Sequence, residues 1–216
     1  MKQLKGGHFL KTMRLLRAVL LSAFVCFCLG ACSSLFGVQA LDEKLYQIPE
    51  LKLSADATYK RQNGIRVSVR PAISSQLINS QKILFTSDGV EQGFYQFASW
   101  AEPPPKRVTS LLLQALEDSH IFDAVLFAST SAAADYQIVT ELVECVHDIK
   151  ESPGVARVRI RVEMINLSSR ELAGQKTFSK EVPVQSYDAR GAVDAMTAAM
   201  HELVKEILDW SSSLSL

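Results

Sequence analysis

Cysteine and histidine are scarce in this chain, and the few present are badly placed for chemistry. The cysteines are Cys26, Cys28, Cys32 and Cys145, and the histidines are His8, His120, His147 and His201. Beyond residue 31, none of the histidines has a second His or a Cys at a recognised zinc-site spacing, so that part of the sequence carries no zinc motif. Glycine is no more concentrated. Beyond residue 31, Gly37, Gly64, Gly89, Gly93, Gly154, Gly174 and Gly191 are dispersed, and no phosphate-cradling loop forms from them. There is no Gly-x-Ser-x-Gly elbow either, nor a nucleophile with a base and an orienter in one motif. These absences predict a protein that is not an enzyme and needs no metal. Acid is missing from the whole first stretch, whose first carboxylate is Asp42, and no apolar run approaches the ~20 residues of a membrane span.

What the N-terminus does contain is ordered. Lys2, Lys5, Lys11, Arg14 and Arg17 make a basic region, Ala18 to Leu29 is a twelve-residue apolar run, and Leu29-Gly30-Ala31-Cys32 closes it. This is the layout of a secretory signal peptide, and its ending resembles the bacterial lipobox. In that motif the thiol takes a diacylglyceryl group, the chain is cut between Ala31 and Cys32, and the new N-terminus is acylated, palmitate being a typical chain. Small side chains at Gly30 and Ala31 admit the protease, and only cysteine offers the nucleophile. Ser33 and Ser34 follow Cys32 where an aspartate would retain a lipoprotein at the inner membrane, so the reading places the protein on the periplasmic face of the outer membrane. Beyond this diacylglycerol and N-acyl modification of Cys32, no cofactor is expected.

Cleavage after Ala31 leaves 185 residues with 18 Lys and Arg against 23 Asp and Glu. That length suits one domain with a sizeable core. An acidic body argues against nucleic acid, which basic surfaces bind, and leaves membrane attachment to the lipid. Cys145 is then the one free thiol, so no internal disulfide forms, and its place in an alternating strand predicts burial. Residues 32–44 form a short leash; a dozen residues reach ~40 Å at most when fully stretched.

The rest reads as an α/β domain over 45–210, with a mixed sheet, two main amphipathic helices and a tail at 211–216. Leu45 to Ile48 and Ile65 to Arg70 are strands; Gln81 to Thr86 and Gly93 to Ala98 flank the turn signal Asp88-Gly89. Trp100 to Pro105 breaks the sheet, and Val108, Leu111, Leu112, Ala115 and Leu116 mark a helix. Phe122 to Ala128 reads as a buried strand, Ala134 to Ile149, Val155 to Leu167 and Gln175 to Val184 as further strands. A helix over Asp188 to Trp210 carries Val193, Met196, Met200, Leu203, Ile207 and Trp210, a stripe better suited to docking on a sheet than to a coiled coil.

Three surface features invite a function. Arg157, Arg159 and Arg161 line one face of their strand, with Lys176, Lys180 and one of Glu141 or Glu144 within reach. They form either a basic strip for phosphate headgroups or a solvated face of cross-strand ion pairs, which the acidic balance favours. Phe94, Tyr95, Phe97 and Trp100 line an acyl pocket or form a core edge, with Phe94 and Gln96 on one side of the strand and Tyr95 and Phe97 on the other. The corner of Trp100, Pro103 and Pro104 is the candidate partner contact, since a proline-stiffened loop loses little entropy on binding; packing of Trp100 between helix and sheet is the competing role.

Lys82 to Thr86, the run Phe94 to Pro104 with its Trp-Ala-x-Pro-Pro corner, and Leu111-Leu112 leading to Phe122 and Val125 together resemble the ABC-type transport auxiliary lipoproteins. Cys32 and Tyr46-Gln47-Ile48 fit as well; the triple proline and the spacer from Ser129 to Ala134 are departures. The resemblance implies a non-catalytic docking subunit of an MCE-type ABC system that moves lipid between the inner and outer membranes. The MCE-type protein is then the expected partner and phospholipid a further one, and only Cys32 carries over as a family site. A regulator activating a cell-wall synthase is the alternative, but it calls for a longer tether. A periplasmic lipid carrier would need a deep apolar cavity.

Overall fold

The structure is a computed structural model and describes residues 42–216 together with Arg17. The expected leader, Ala31, Cys32 and most of the leash lie outside the described residues. The chain from Glu43 onward forms one mixed nine-stranded sheet with two long helices. Its strands are β1 (Lys44–Tyr46), β2 (Gln62–Val69), β3 (Ile73–Ser74), β4 (Lys82–Thr86), β5 (Gln92–Trp100), β6 (Phe122–Phe127), β7 (Tyr136–Asp148), β8 (Val155–Asn166) and β9 (Leu172–Pro183). Helix α1 spans Pro104–Ser119 and α2 spans Ala189–Ser213.

Strand β7 organises the sheet. On one side β8 pairs with it antiparallel from Tyr136↔Asn166 to Asp148↔Val155, and β9 extends the meander beyond β8. The other side is shared in sequence by three parallel neighbours: β2 at Tyr136–Ile138, β3 at Glu141–Leu142 and β4 at His147–Asp148. β6 lies parallel outside β2, while β5 lies antiparallel outside β4 and carries β1 at the edge. The sheet is therefore forked on that side.

Both helices pack on one core. From α1, Val108, Leu111, Leu112, Ala115 and Leu116 are buried, as the stripe predicts. Pro104 sits in the first turn, where its missing N–H leaves no bond unmade. The buried Oγ1 of Thr109 donates to the Pro105 carbonyl and accepts from the Ala72 amide at 2.8 Å, tying the helix to the loop after β2. Asp188 caps α2, its Oδ1 accepting from the Gly191 amide at 2.7 Å. A Cβ on Gly191 would meet the Ser186 carbonyl oxygen at 2.3 Å, so this close entry turn needs glycine. The buried face of α2 adds Ala192, Ala195, Ala199, Val204 and Leu208 to the predicted stripe. That is wider than a coiled-coil seam and matches docking against a sheet. Among the described residues, no helix is long and apolar enough to cross a membrane.

Three expectations differ from the structure. Strand β6 is an outer strand with only Phe122 buried, because among the described residues no strand pairs beyond it. The helix runs further into the tail than expected: α2 continues to Ser213, Gln62 donates to the carbonyls of Ser212 and Leu214, and Leu214 and Leu216 pack on the core. Strand β5 does not keep strict alternation. Its register against β4 slips between Lys82↔Ser99 and Leu84↔Phe94, which leaves Phe94, Gln96 and Phe97 all exposed and Tyr95 half-buried.

Trp100 ends β5 in register with Tyr46, only 2% exposed, and its amide donates to the Gln81 carbonyl at 2.7 Å. Trp100→Ala should cost about 3–5 kcal/mol, as for other large core truncations, and lower the melting temperature sharply in a thermal unfolding scan.

Candidate functional site

The arginine strip belongs to β8, whose other face (Ala156, Val158, Ile160, Val162, Met164) is fully buried under the helices. Alternation thus turns Arg157, Arg159 and Arg161 outward. Opposite them, β7 carries a bulge. Leu142 pairs with Ile160 and Glu144 with Arg159, so Val143 is the extra residue. The bulge resets the alternation, and Glu141 and Glu144 both come to the arginine face, opposite Arg161 and Arg159. Sequence alternation alone admits only one of them.

The arginines are paired on that face. Arg157 reaches Glu144 at 2.9 Å and Asp148 at 2.5 Å, Arg159 reaches Glu144 at 3.1 Å, and Arg161 reaches Glu163 at 2.5 Å. The neighbours on β9 are Glu181, Ser179 and Thr177, not lysines. Lys176 and Lys180, expected to join the strip, share register with Val162 and Val158 and so lie on the helix side. There Lys180 bonds Glu202 at 2.6 Å and Lys176 sits over the Phe178 ring at 4.8 Å. The strip is an ion-paired face, with more carboxylates than guanidinium groups around it; among the buried nitrogens of its arginines, only Nε of Arg161 lacks a partner.

Beside it a shallow cavity of about 140 Å³ opens between the segment before β4 (Ser75, Leu77, Ile78) and Val146, Glu144 and Arg157. Ligand sites usually run to about 300–1,000 Å³, so this one suits no acyl chain. None of Phe94, Tyr95, Phe97 or Trp100 lines it. These aromatics separate, with Trp100 in the core, Tyr95 against His147, and Phe94 and Phe97 at the surface. The proposed contact corner fares no better, since Trp100 and Pro104 are buried and Pro103 is half-buried. Neither large side chain is presented to a partner.

The most constrained polar group is one that sequence reasoning passed over. The bulge that turns Glu144 outward turns Cys145 and His147 inward, opposite Val158 and Ala156. His147 Nδ1 lies 2.7 Å from the Tyr95 hydroxyl, and Nε2 lies 2.8 Å from the Pro153 carbonyl oxygen. A carbonyl only accepts, so Nε2 carries the proton and Nδ1 accepts from Tyr95. Burial pushes the Tyr95 phenol up to about 12, with Tyr187 and Asp188 adding to it, which keeps that donor protonated. Burial also holds His147 below its ordinary 6.5, against smaller raising effects of the Pro153 bond and Asp148. The β7–β8 loop closes over the ring at Gly154, which has φ 93°; a Cβ there would meet the Asp148 carbonyl oxygen at 2.2 Å and His147 Nε2 at 2.7 Å. The Pro153-Gly154 pair was the available sequence signal for this loop, but nothing in it pointed to the histidine.

Cys145 is buried at 3% exposure, its Sγ 3.8 Å from Met196 Sδ, and burial raises the thiol to about 12 with Glu144 adding to the effect. It is a packed, protonated thiol, as its strand position predicts. Among the described residues, no group of three or more His, Cys, Asp and Glu side chains is placed to hold a metal ion.

A family model described as the ABC-type transport auxiliary lipoprotein component matches residues 46–208. The uncharacterized protein bll6063 of Bradyrhizobium diazoefficiens is 27% identical over 137 residues, covering 62% of this chain and 36% of that protein. The chain thus spans about a third of that curated relative's length. Among solved structures, protein XCC0632 from Xanthomonas campestris, of the DUF330 family, superposes with a TM-score of 0.71 at 19% identity, covering 78% of this chain and 94% of that one. A second crystal structure, of an uncharacterized protein, gives 0.61 at 12% identity, covering 79% and 99%. At these identities the two structures speak for the fold.

Two outcomes follow from the buried pair. With its folded pKa held down, His147 resists the proton that the unfolded chain accepts near pH 6.5. Stability should therefore be full above that pH and decline as pH falls through the imidazole range. His147→Gln should flatten this slope in denaturant titrations run at a series of pH values. Thiol reagents should label Cys145 only after denaturation, read by mass spectrometry on native and unfolded protein.

Proposed function

The chain belongs to the ABC-type transport auxiliary lipoprotein family, and from that premise we propose that it is the lipid-anchored, non-catalytic docking subunit of an MCE-type ABC lipid transport system. The observation that carries this reading is the family match over residues 46–208, nearly the whole described body. Two features of the site support a role without turnover. Cys145 and His147, the side chains best suited to nucleophilic or acid–base work, are both committed. The thiol is buried and protonated, and both imidazole nitrogens are engaged.

In this reading Cys32 is the attachment point, cleaved from Ala31 and bearing diacylglycerol and an N-acyl chain. Each buried methylene contributes about 0.8 kcal/mol, and two chains already anchor stably, so three would hold the protein on the periplasmic face of the outer membrane. Ser33 and Ser34 support that destination. The folded body, starting about a dozen residues later, would remain within ~40 Å of the lipid. An MCE-type protein carrying phospholipid would meet it there, the ATPase and permease being separate chains. The ion-paired outer face favours docking over lipid carriage.

Two measurements check this. Cys32→Ser should remain an uncleaved precursor that incorporates no labelled palmitate, whereas the native chain should be labelled. The native chain should co-purify with an MCE-type protein from detergent-solubilised envelopes. Uptake of palmitate by Cys32→Ser would refute the anchor, and ATP or lipid-ester hydrolysis by the purified protein would refute the accessory role.

A further inference from the structure

The described body starts with exposed apolar side chains. Leu45, in the three-residue edge strand β1, is 67% exposed. Its register partner on β5 is Ser99, and Phe97, two residues earlier on β5, is 49% exposed. Tyr187, just before the α2 cap, is 57% exposed. Lys44 links the first two, being the neighbour of Leu45 and the register partner of Ala98, and the Tyr187 ring lies 6.2 Å from that of His147, which bonds Tyr95 of the same β5 strand. Charges around the patch are balanced: Lys82 lies beside Glu43, and Arg190 beside Asp194.

Lys44 is also where the body joins the leash. An apolar, aromatic-bearing, charge-neutral surface at that junction matches a membrane interface, where aromatic rings settle at headgroup level and aliphatic side chains reach the acyl boundary. A leash of about a dozen residues from an acylated Cys32 keeps this end of the body near the bilayer and gives the patch its occupant. We propose that Leu45, Phe97 and Tyr187 form an interfacial contact that seats the β1 edge of the domain on a phospholipid surface. The inference rests on the lipid anchor of the preceding section, and it adds an orientation: the β1 edge faces the lipid and the far end of the β7–β8–β9 meander faces away. Because the patch is neutral, it needs no anionic lipid.

The test uses the full lipidated protein in phosphatidylcholine vesicles carrying brominated acyl chains. Single cysteines replace Leu45, Phe97 and Tyr187, each labelled with an environment-sensitive fluorophore. A control is placed at Ser168, in the β8–β9 turn at the opposite end of the sheet, and unchanged melting temperatures confirm that each variant folds. Emission at 45 and 97 should fall by about two-fold or more relative to position 168, with 187 intermediate, as expected for side chains at the acyl boundary. The quenching should be the same with anionic vesicles. Protein that floats with the vesicles yet shows no more quenching at 45 and 97 than at 168 overturns the seating while leaving the anchor intact; a surface reserved for a protein partner gives this result. Protein that does not float overturns the anchor, and the seating with it.

Discussion

Everything in this domain leans on the ladder between β7 and β8. It is the longest pairing in the sheet, it carries β9 on one side and β2, β3 and β4 on the other, and its inner face supplies much of the floor on which the helices pack. A regular thirteen-residue strand would present a single alternation throughout. Here the Val143 bulge divides it in two. Before the bulge, Ile138, Thr140 and Leu142 face inward; after it, Cys145 and His147 do. Because side chains alternate with a period of two, one inserted residue exchanges the faces for everything that follows. Without it, Glu144 would point into the core and Cys145 and His147 would meet water.

The same bulge explains why the outer face is chemically quiet. Bringing Glu141 and Glu144 together opposite the arginines converts a basic strip into a network of ion pairs. Each exposed pair contributes little, typically 0–1 kcal/mol. Their effect is to occupy the guanidinium groups, which leaves no free cationic rank for a phosphate. On the inner face the Tyr95–His147–Pro153 chain likewise consumes the polar capacity of its members, and Gly154 lets the covering loop come close enough to complete it.

Such a body is suited to holding a position. As the proposed docking subunit, the protein would need a rigid domain at a defined place more than a reactive group. In that reading, position would be set by the chain leading out of Lys44 and by what the surface around that exit prefers to touch. The exposed side chains at the β1 edge lie at that exit, whereas Trp100, the aromatic that first suggests a contact, is spent on packing the end of β5 into the core.

The helices, most strands, the burial of Cys145 and the ion-pair character of the arginine face were legible in the sequence. Each is a local or periodic property: the 3.6-residue stripe of Val108 to Leu116, the alternation of Ala156 to Met164, and the turn signal at Asp88-Gly89. Family membership was legible too, through the Trp100 corner and its flanking strand and helix. Only the tertiary structure decided which strands are neighbours, that Lys176 and Lys180 face α2, that Glu141 and Glu144 share a face, and that Trp100 is buried. It alone brought Tyr95 to His147 across 52 residues of chain. The physical reason is common to all of these. Period and propensity act between residues a few positions apart, whereas register, bulges and loop closure are settled by contacts between segments far apart in sequence, where one residue of slip reverses every side chain.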